Sequence, residues 1–195
     1  MNKKLLNTNR ISQTISKLKV KNKKIVLCHG VFDFFHLGHL KYLKSAKSHG
    51  DFLIVSLTTD KFVKKGFNRP FYKENQRIEL LSSIDLIDFI VLSDYHNGEK
   101  IIEKIKPDFY VKGPDYSNNS KDITGNIYKE IKLVKKFGGK VIYTNDATLS
   151  SSSLLNNHYN NLNEGQKKYQ KEIKKKFSFD KIKEQVDKLK LSNVL

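Results

Sequence analysis

At 195 residues the chain is long enough to bury a core and suits one domain with extensions. Its 37 Lys and Arg against 20 Asp and Glu give a net charge of +17, and no apolar run reaches roughly 18 residues, which argues against a membrane-spanning helix. The basic N-terminus has no apolar segment behind it, so no secretory signal is expected, and the single cysteine, Cys28, excludes an intramolecular disulfide and fits a reducing cytoplasm.

Residues 1–23 read as a basic N-terminal segment; the first 24 residues hold eight Lys or Arg and no acid. A short apolar strand is predicted over 24–29, with Cys28 inside it as a buried apolar residue. It runs into His29-Gly30-Val31-Phe32-Asp33-Phe34-Phe35-His36-Leu37-Gly38-His39, which opens a helix predicted over 38–49. Glycines at a strand-to-helix turn let backbone approach a ligand, and a helix N-terminus presents unpaired N–H groups and a positive dipole end. His36 and His39, three residues apart, share one face of the first turn. This combination is a cradle for phosphate and reads as a nucleotide site.

Further strands are predicted over 52–58, 88–93, 108–112 and 140–144, with helices over 74–84, 97–105 and 124–137 between them. Continuously apolar strands alternating with helices predict an open α/β fold, a parallel sheet with helices on both faces and right-handed crossovers. Ligands on such sheets lie beyond the carboxyl ends of the strands, where the first motif stands. Polar loops fall at 65–73, 113–123 and 156–165. A lysine-rich helix or helix pair is expected over 166–191, with Ile173, Phe177, Phe179, Ile182, Val186 and Leu189 as its buried positions, followed by a linker-like ending. The domain reading is thus 1–23, a core of 24–160, and an extension over 161–195. Residues 164–195 carry ten lysines against five acids, so the charge excess sits mostly on the two arms and a specific nucleic-acid partner is not expected. A basic RNA- or surface-binding module on a non-catalytic nucleotide-binding fold stays open as the alternative.

The pattern G-x-F-D-x-x-H-x-G-H-x-x-x-L resembles the HxGH nucleotidyltransferases of the cytidylyltransferase-like branch. Lys65-Gly66 with Arg69-Pro70, then Arg77, then Val111-Lys112-Gly113-Pro114-Asp115-Tyr116, then Ser150-Ser151-Ser152-Ser153-Leu154-Leu155, recur in that family's order across roughly residues 24–157. The resemblance is strongest to heptose-phosphate adenylyltransferases, with glycerol-phosphate cytidylyltransferases further off. It implies a Rossmann-like fold and transfer of CMP or AMP from CTP or ATP to a sugar or polyol phosphate, releasing pyrophosphate. By the same resemblance His36, His39 and Lys65 are the catalytic residues. Gly30, Val31, Phe32, Gly38, Asp60, Arg77, Lys112, Gly113, Asp115, Ser150, Ser151 and Ser152 bind the nucleotide, and Arg69 and Tyr116 bind the acceptor. Mg2+ enters with the nucleotide rather than on a dedicated ligand set. A homodimer and a linked sugar-kinase domain are further implications. Read from the residues alone, Asp33 bonds turn N–H groups, Phe32 is core, and Asp60 and Arg77 have helix capping and helix surface as their other roles. Two departures stand out: Pro114 replaces a frequent glycine, and Asp146-Ala147-Thr148-Leu149 replaces the arginine-containing stretch of the cytidylyltransferases.

Overall fold

The computed structural model describes residues 3–7, 11–64, 69–114, 126–144 and 164–176. Six strands make one sheet: β1 (Leu5–Leu6), β2 (Ile25–Gly30), β3 (Phe52–Thr58), β4 (Phe89–Ser93), β5 (Phe109–Lys112) and β6 (Lys140–Tyr143). Every pairing is parallel, in the order β1-β4-β3-β2-β5-β6. Between the strands run α1 (Ile11–Val20), α2 (Leu37–Lys47), a 3-10 turn at Asp60–Phe62, α3 (Glu74–Ser82), α4 (Glu99–Ile105) and α5 (Asn126–Lys136). The fold is the expected Rossmann-like α/β sheet, and each predicted strand lies within a residue or two of an observed one.

Strand alternation assigns each helix to a face. On one face Val26, Cys28, Leu53, Val55, Leu57, Ile90 and Val111 meet Leu43 and Ala46 of α2 and Ile78 and Leu81 of α3. On the other, Ile25, Leu27, Ile54, Val91 and Tyr110 meet Ile11 and Ile15 of α1, Ile101, Ile102 and Ile105 of α4, and Val134 of α5. Full burial of each such aliphatic side chain contributes about 1.5–3 kcal/mol before entropy is counted. Burial on both faces is why the strands are continuously apolar rather than alternating.

β1 and α1 are elements the sequence pattern did not announce. β1 is two residues long and pairs Leu5 with Ile90 and Leu6 with Val91, too short to display alternation. α1 buries Ile11 and Ile15, with Leu18 partly buried one turn on, and this short apolar repeat is interrupted by lysines and polar residues.

The sheet packs closely where α5 turns into β6. A Cβ on Gly139 would lie 2.3 Å from the Pro107 carbonyl oxygen and 3.0 Å from Val134 Cγ1, and a backbone oxygen has nowhere to go. Gly139→Ala is therefore expected to destabilise the protein by about 1–3 kcal/mol. Urea unfolding should show this as a lower midpoint at unchanged slope.

The chain divides into two compact units, Met1–Ser151 and Ser152–Leu195. The sheet and α1–α5 belong to the first. In the second, α6 (Glu164–Lys176) is described, and Tyr169 and Ile173 on it are exposed. Ile173 is thus not one of the buried positions expected of this segment: among the described residues its apolar neighbour one turn away is Tyr169, and both are exposed. Phe177, Phe179, Ile182, Val186 and Leu189 lie outside the described residues. No helix among the described residues is long and apolar enough to cross a membrane.

Candidate functional site

β3 and β4 extend the sheet from one side of β2, while β5 and β6 extend it from the other. The switch point therefore lies between the carboxyl ends of β2 and β5, where open α/β sheets bind ligands. The 29–39 motif leaves the end of β2, and Lys112-Gly113-Pro114 leaves the end of β5.

His36 is the N-cap of α2, with extended backbone, and its Nδ1 accepts from the Gly38 N–H at 3.0 Å. His39 Nδ1 faces the His36 N–H at 3.4 Å, closing a reciprocal capping box built from two imidazoles. The ring centroids are 4.0 Å apart. A ring nitrogen that accepts carries no proton, so each neutral imidazole holds its hydrogen on Nε2 and presents that N–H as a donor. Burial lowers the His36 pKa, which favours this neutral form. Phe35 stacks on the His39 ring at 5.3 Å and Phe32 lies 5.6 Å from it, fixing its plane.

The turn before the helix is strained and clasped. Phe32 and Phe34 both take positive φ, 49° and 50°, a conformation unfavourable for bulky side chains. Between them Asp33, 2 % exposed, accepts from the Phe71 N–H at 2.9 Å, the Tyr72 N–H at 3.0 Å and Arg69 Nε at 2.8 Å. Burial alone would raise its pKa, but these three donors outweigh it and hold the carboxyl below its ordinary value. The Phe32 ring packs back on Gly30, where a Cβ would sit 3.3 Å from it, a tight contact.

A second clasp lies beside the first. Arg77, 1 % exposed, donates from Nη1 to the Val31 carbonyl at 2.6 Å, from Nε to the Tyr72 carbonyl at 3.1 Å and from Nη2 to Asp60 at 2.7 Å. Asp60 and Glu74 exchange backbone-to-carboxylate bonds at 3.2 Å each way. Arg77 is therefore neither on the helix surface nor presented as an open fork. Its guanidinium ties α3 to the motif turn, and Asp60 completes the tie. Arg69 differs: its Nη2 is buried and has no hydrogen-bond partner among the described residues.

At the end of β5, Lys112 is 6 % exposed, and its Nζ lies 2.9 Å from Glu130 on α5 and 4.8 Å from the Tyr110 ring centroid. The lysine expected to meet the nucleotide thus has its ammonium in an internal ion pair. His29 also sits on this face, its Nδ1 3.0 Å from Ser56 Oγ. Burial, reinforced by the Lys112 charge, pushes the His29 pKa down from 6.5 to about 4. The folded state therefore binds fewer protons than the unfolded state between these values. Stability from this group is complete above 6.5 and is lost as pH falls through about 4. Replacing His29 with asparagine should flatten that stretch of a stability-against-pH curve measured by denaturant titration.

The structure brings together Gly30, Val31, Phe32, His36, Gly38, His39, Asp60, Arg69 and Arg77 around the motif turn, with Lys112 and Gly113 at the neighbouring strand end. Lys65, Asp115, Tyr116, Ser150, Ser151 and Ser152 lie outside the described residues. Sequence reasoning missed Glu130, Glu74 and Tyr42. Tyr42 on α2 donates its hydroxyl to the Val111 carbonyl at 2.6 Å, bridging the histidine-bearing helix to β5. Glu130 had a visible signal: it falls between Ile127 and Val134 on the buried stripe of a lysine-rich helix, where a lone carboxylate needs a partner.

The cytidylyltransferase-like family model matches residues 27–157. The bifunctional protein HldE of Citrifermentans bemidjiense is 39% identical over 140 residues, covering 71% of this chain and 27% of that protein. The HldE protein of Aliarcobacter butzleri is 41% identical over 133 residues, covering 67% and 28%. The chain thus spans about a quarter of the length of these curated relatives. Among solved structures, a lipopolysaccharide core biosynthesis protein from Thermoplasma volcanium superposes with a TM-score of 0.54 at 27% identity, covering 65% of this chain and 99% of that one. A pantoate-beta-alanine ligase from Francisella tularensis shares the fold, with a TM-score of 0.52 at 21% identity over 82% of this chain and 73% of that one.

Proposed function

Since the chain belongs to the cytidylyltransferase-like family of nucleotidyltransferases, we propose that it transfers a nucleotidyl group from a nucleoside triphosphate to a sugar or polyol phosphate. The resemblance to heptose-phosphate adenylyltransferases favours AMP from ATP and a heptose-type acceptor; CMP from CTP is the other form of the same chemistry. The carrying observation is the imidazole pair capping α2, both Nδ1 atoms accepting, so that two Nε2–H donors stand at a helix N-terminus.

An oxygen of the acceptor phosphate attacks the α-phosphorus of the nucleotide. The new P–O bond forms as the bond to pyrophosphate breaks, and charge accumulates on the departing phosphates. Donors already in place stabilise that charge without reorganising. In this reading His36 and His39 donate to the triphosphate with the first N–H groups of α2, and Arg69 turns its uncommitted Nη2 to the acceptor phosphate. By the same resemblance Lys65 is assigned to catalysis, Asp115, Ser150, Ser151 and Ser152 to the nucleotide, and Tyr116 to the acceptor. Asp33, Asp60 and Arg77 act on the turn rather than on the ligand. A divalent ion such as Mg2+ would neutralise the phosphates. Asp33 and Asp60 are committed to arginines and N–H groups, so the ion would be held chiefly by the nucleotide. Residues 24–160 carry the chemistry in this reading, and 161–195 are an extension or linker. The resemblance further points to a linked sugar-kinase domain, a homodimer and a cytoplasmic setting.

The test is pyrophosphate release with Mg2+, each of the four nucleoside triphosphates, and a panel of heptose, other sugar and polyol phosphates. Release with ATP or CTP and one acceptor is the expected result. Silence across the panel, with no triphosphate binding by calorimetry, would overturn the proposal.

A further inference from the structure

We infer that Glu130 is a positioning residue for nucleotide binding, acting through Lys112 on the end of β5. The inference rests on the nucleotidyltransferase reading and adds to it a residue remote from the phosphate-binding motif.

Glu130 is 3 % exposed and accepts from three donors on two segments, the start of α4 and β5. Its Oε1 takes the Gly98 N–H at 2.6 Å, at the start of α4. Its Oε2 takes the Tyr110 hydroxyl at 2.9 Å and Lys112 Nζ at 2.9 Å. The fit is close: a Cβ on Gly98 would come within 2.8 Å of the Tyr110 hydroxyl and 3.0 Å of Oε1. Burial works against the carboxylate, but Lys112 and the hydrogen bonds prevail and keep it ionised.

Stability does not account for this arrangement, because a buried ion pair is often matched or bettered by an apolar pair of similar volume. Its geometry accounts for it better. β5 ends at Lys112 beside the switch point, and among the described residues nothing within 4 Å would meet a Cβ at Gly113. That exit is pinned from both faces of the sheet. On one face Tyr42 of α2 bonds the Val111 carbonyl. On the other the Lys112 side chain is anchored to Glu130, while the Thr144 N–H bonds the Lys112 carbonyl at 3.0 Å. Glu130 thus sets the height of the β5 exit relative to the helix that carries His36 and His39.

The test compares wild type, Glu130→Gln and the double variant Glu130→Gln/Lys112→Met by thermal unfolding and by steady-state kinetics with separate KM values for nucleotide and acceptor. Glutamine keeps an acceptor for the Gly98 N–H and removes the charge; the double variant leaves no unpaired buried charge. Glu130→Gln is expected to lower Tm and to raise the nucleotide KM about tenfold, with acceptor KM and kcat within about twofold. The double variant should recover Tm while the nucleotide KM stays raised. Should nucleotide KM return with Tm, or never change, Glu130 is structural only and the inference fails. If Glu130→Gln does not fold, the double variant decides alone, by a raised or a wild-type nucleotide KM. A wild-type protein that neither binds nor turns over any triphosphate overturns the underlying reading, and this inference with it.

Discussion

His39→Ala is expected to lower pyrophosphate release by about 10²–10³-fold while the protein stays folded. The ring is not part of the core: it caps α2, touching the His36 N–H at 3.4 Å and the rings of Phe32 and Phe35. Its removal therefore costs mainly capping and ring contacts at the helix start, with thermal unfolding shifted by only a few degrees. On the proposed function the catalytic loss is larger, because an Nε2–H donated to developing phosphate charge would count for more in the transition state than in the bound triphosphate. His39→Asn supplies the control, since an amide retains a donor without the ring. It should retain more turnover than alanine. Equal turnover in wild type and His39→Ala would remove the imidazole pair from the mechanism.

Asp33→Ala should be the most damaging single change for the fold around the site. Three donors lose their acceptor at once, two backbone N–H groups and Arg69 Nε, and the half-buried Arg69 loses its ion-pair partner. Breaking a buried pair from one side costs about 3–5 kcal/mol. The positive φ values at Phe32 and Phe34 would then lose the clasp between them, leaving the Arg77 bond to the Val31 carbonyl, and the register of His36 would loosen. Turnover and stability should fall together, which separates this variant from His39→Ala. Asparagine at 33 should be milder, since its carbonyl still accepts two bonds. The pH dependence follows with its sign. Because the folded carboxyl titrates below its unfolded value of 3.8, its stabilisation is complete above that value and disappears as pH falls through the lower folded pKa. Acid unfolding of Asp33→Asn should lack this component.

The sheet was legible in the sequence because each interior strand is apolar on both faces, and the phosphate cradle was legible because glycines, a helix start and two histidines fall within ten residues. What escaped was mostly side-chain pairing across long sequence separations. Nothing local distinguishes Arg77, whose three bonds converge on Val31, Tyr72 and Asp60, from an arginine on a helix surface. Lys112 follows an apolar strand at the expected place, but its partner lies on a helix 18 residues onward among lysines. α1 was hidden for the opposite reason: its signal, Ile11, Ile15 and Leu18, lies in a basic stretch whose charge dominates any reading of composition.

The lone thiol has a practical consequence for anyone wishing to watch this protein move. Cys28 lies at 0 % exposure in the middle of the sheet, and burial pushes its pKa up to about 12, so it will ignore maleimides at neutral pH. The chain also contains no tryptophan. A cysteine or tryptophan introduced at a solvent-facing position, such as Val20 at 84 % exposure, would be the sole reporter of its kind. Fluorescence from it could be assigned without first stripping the native chain of competing signals.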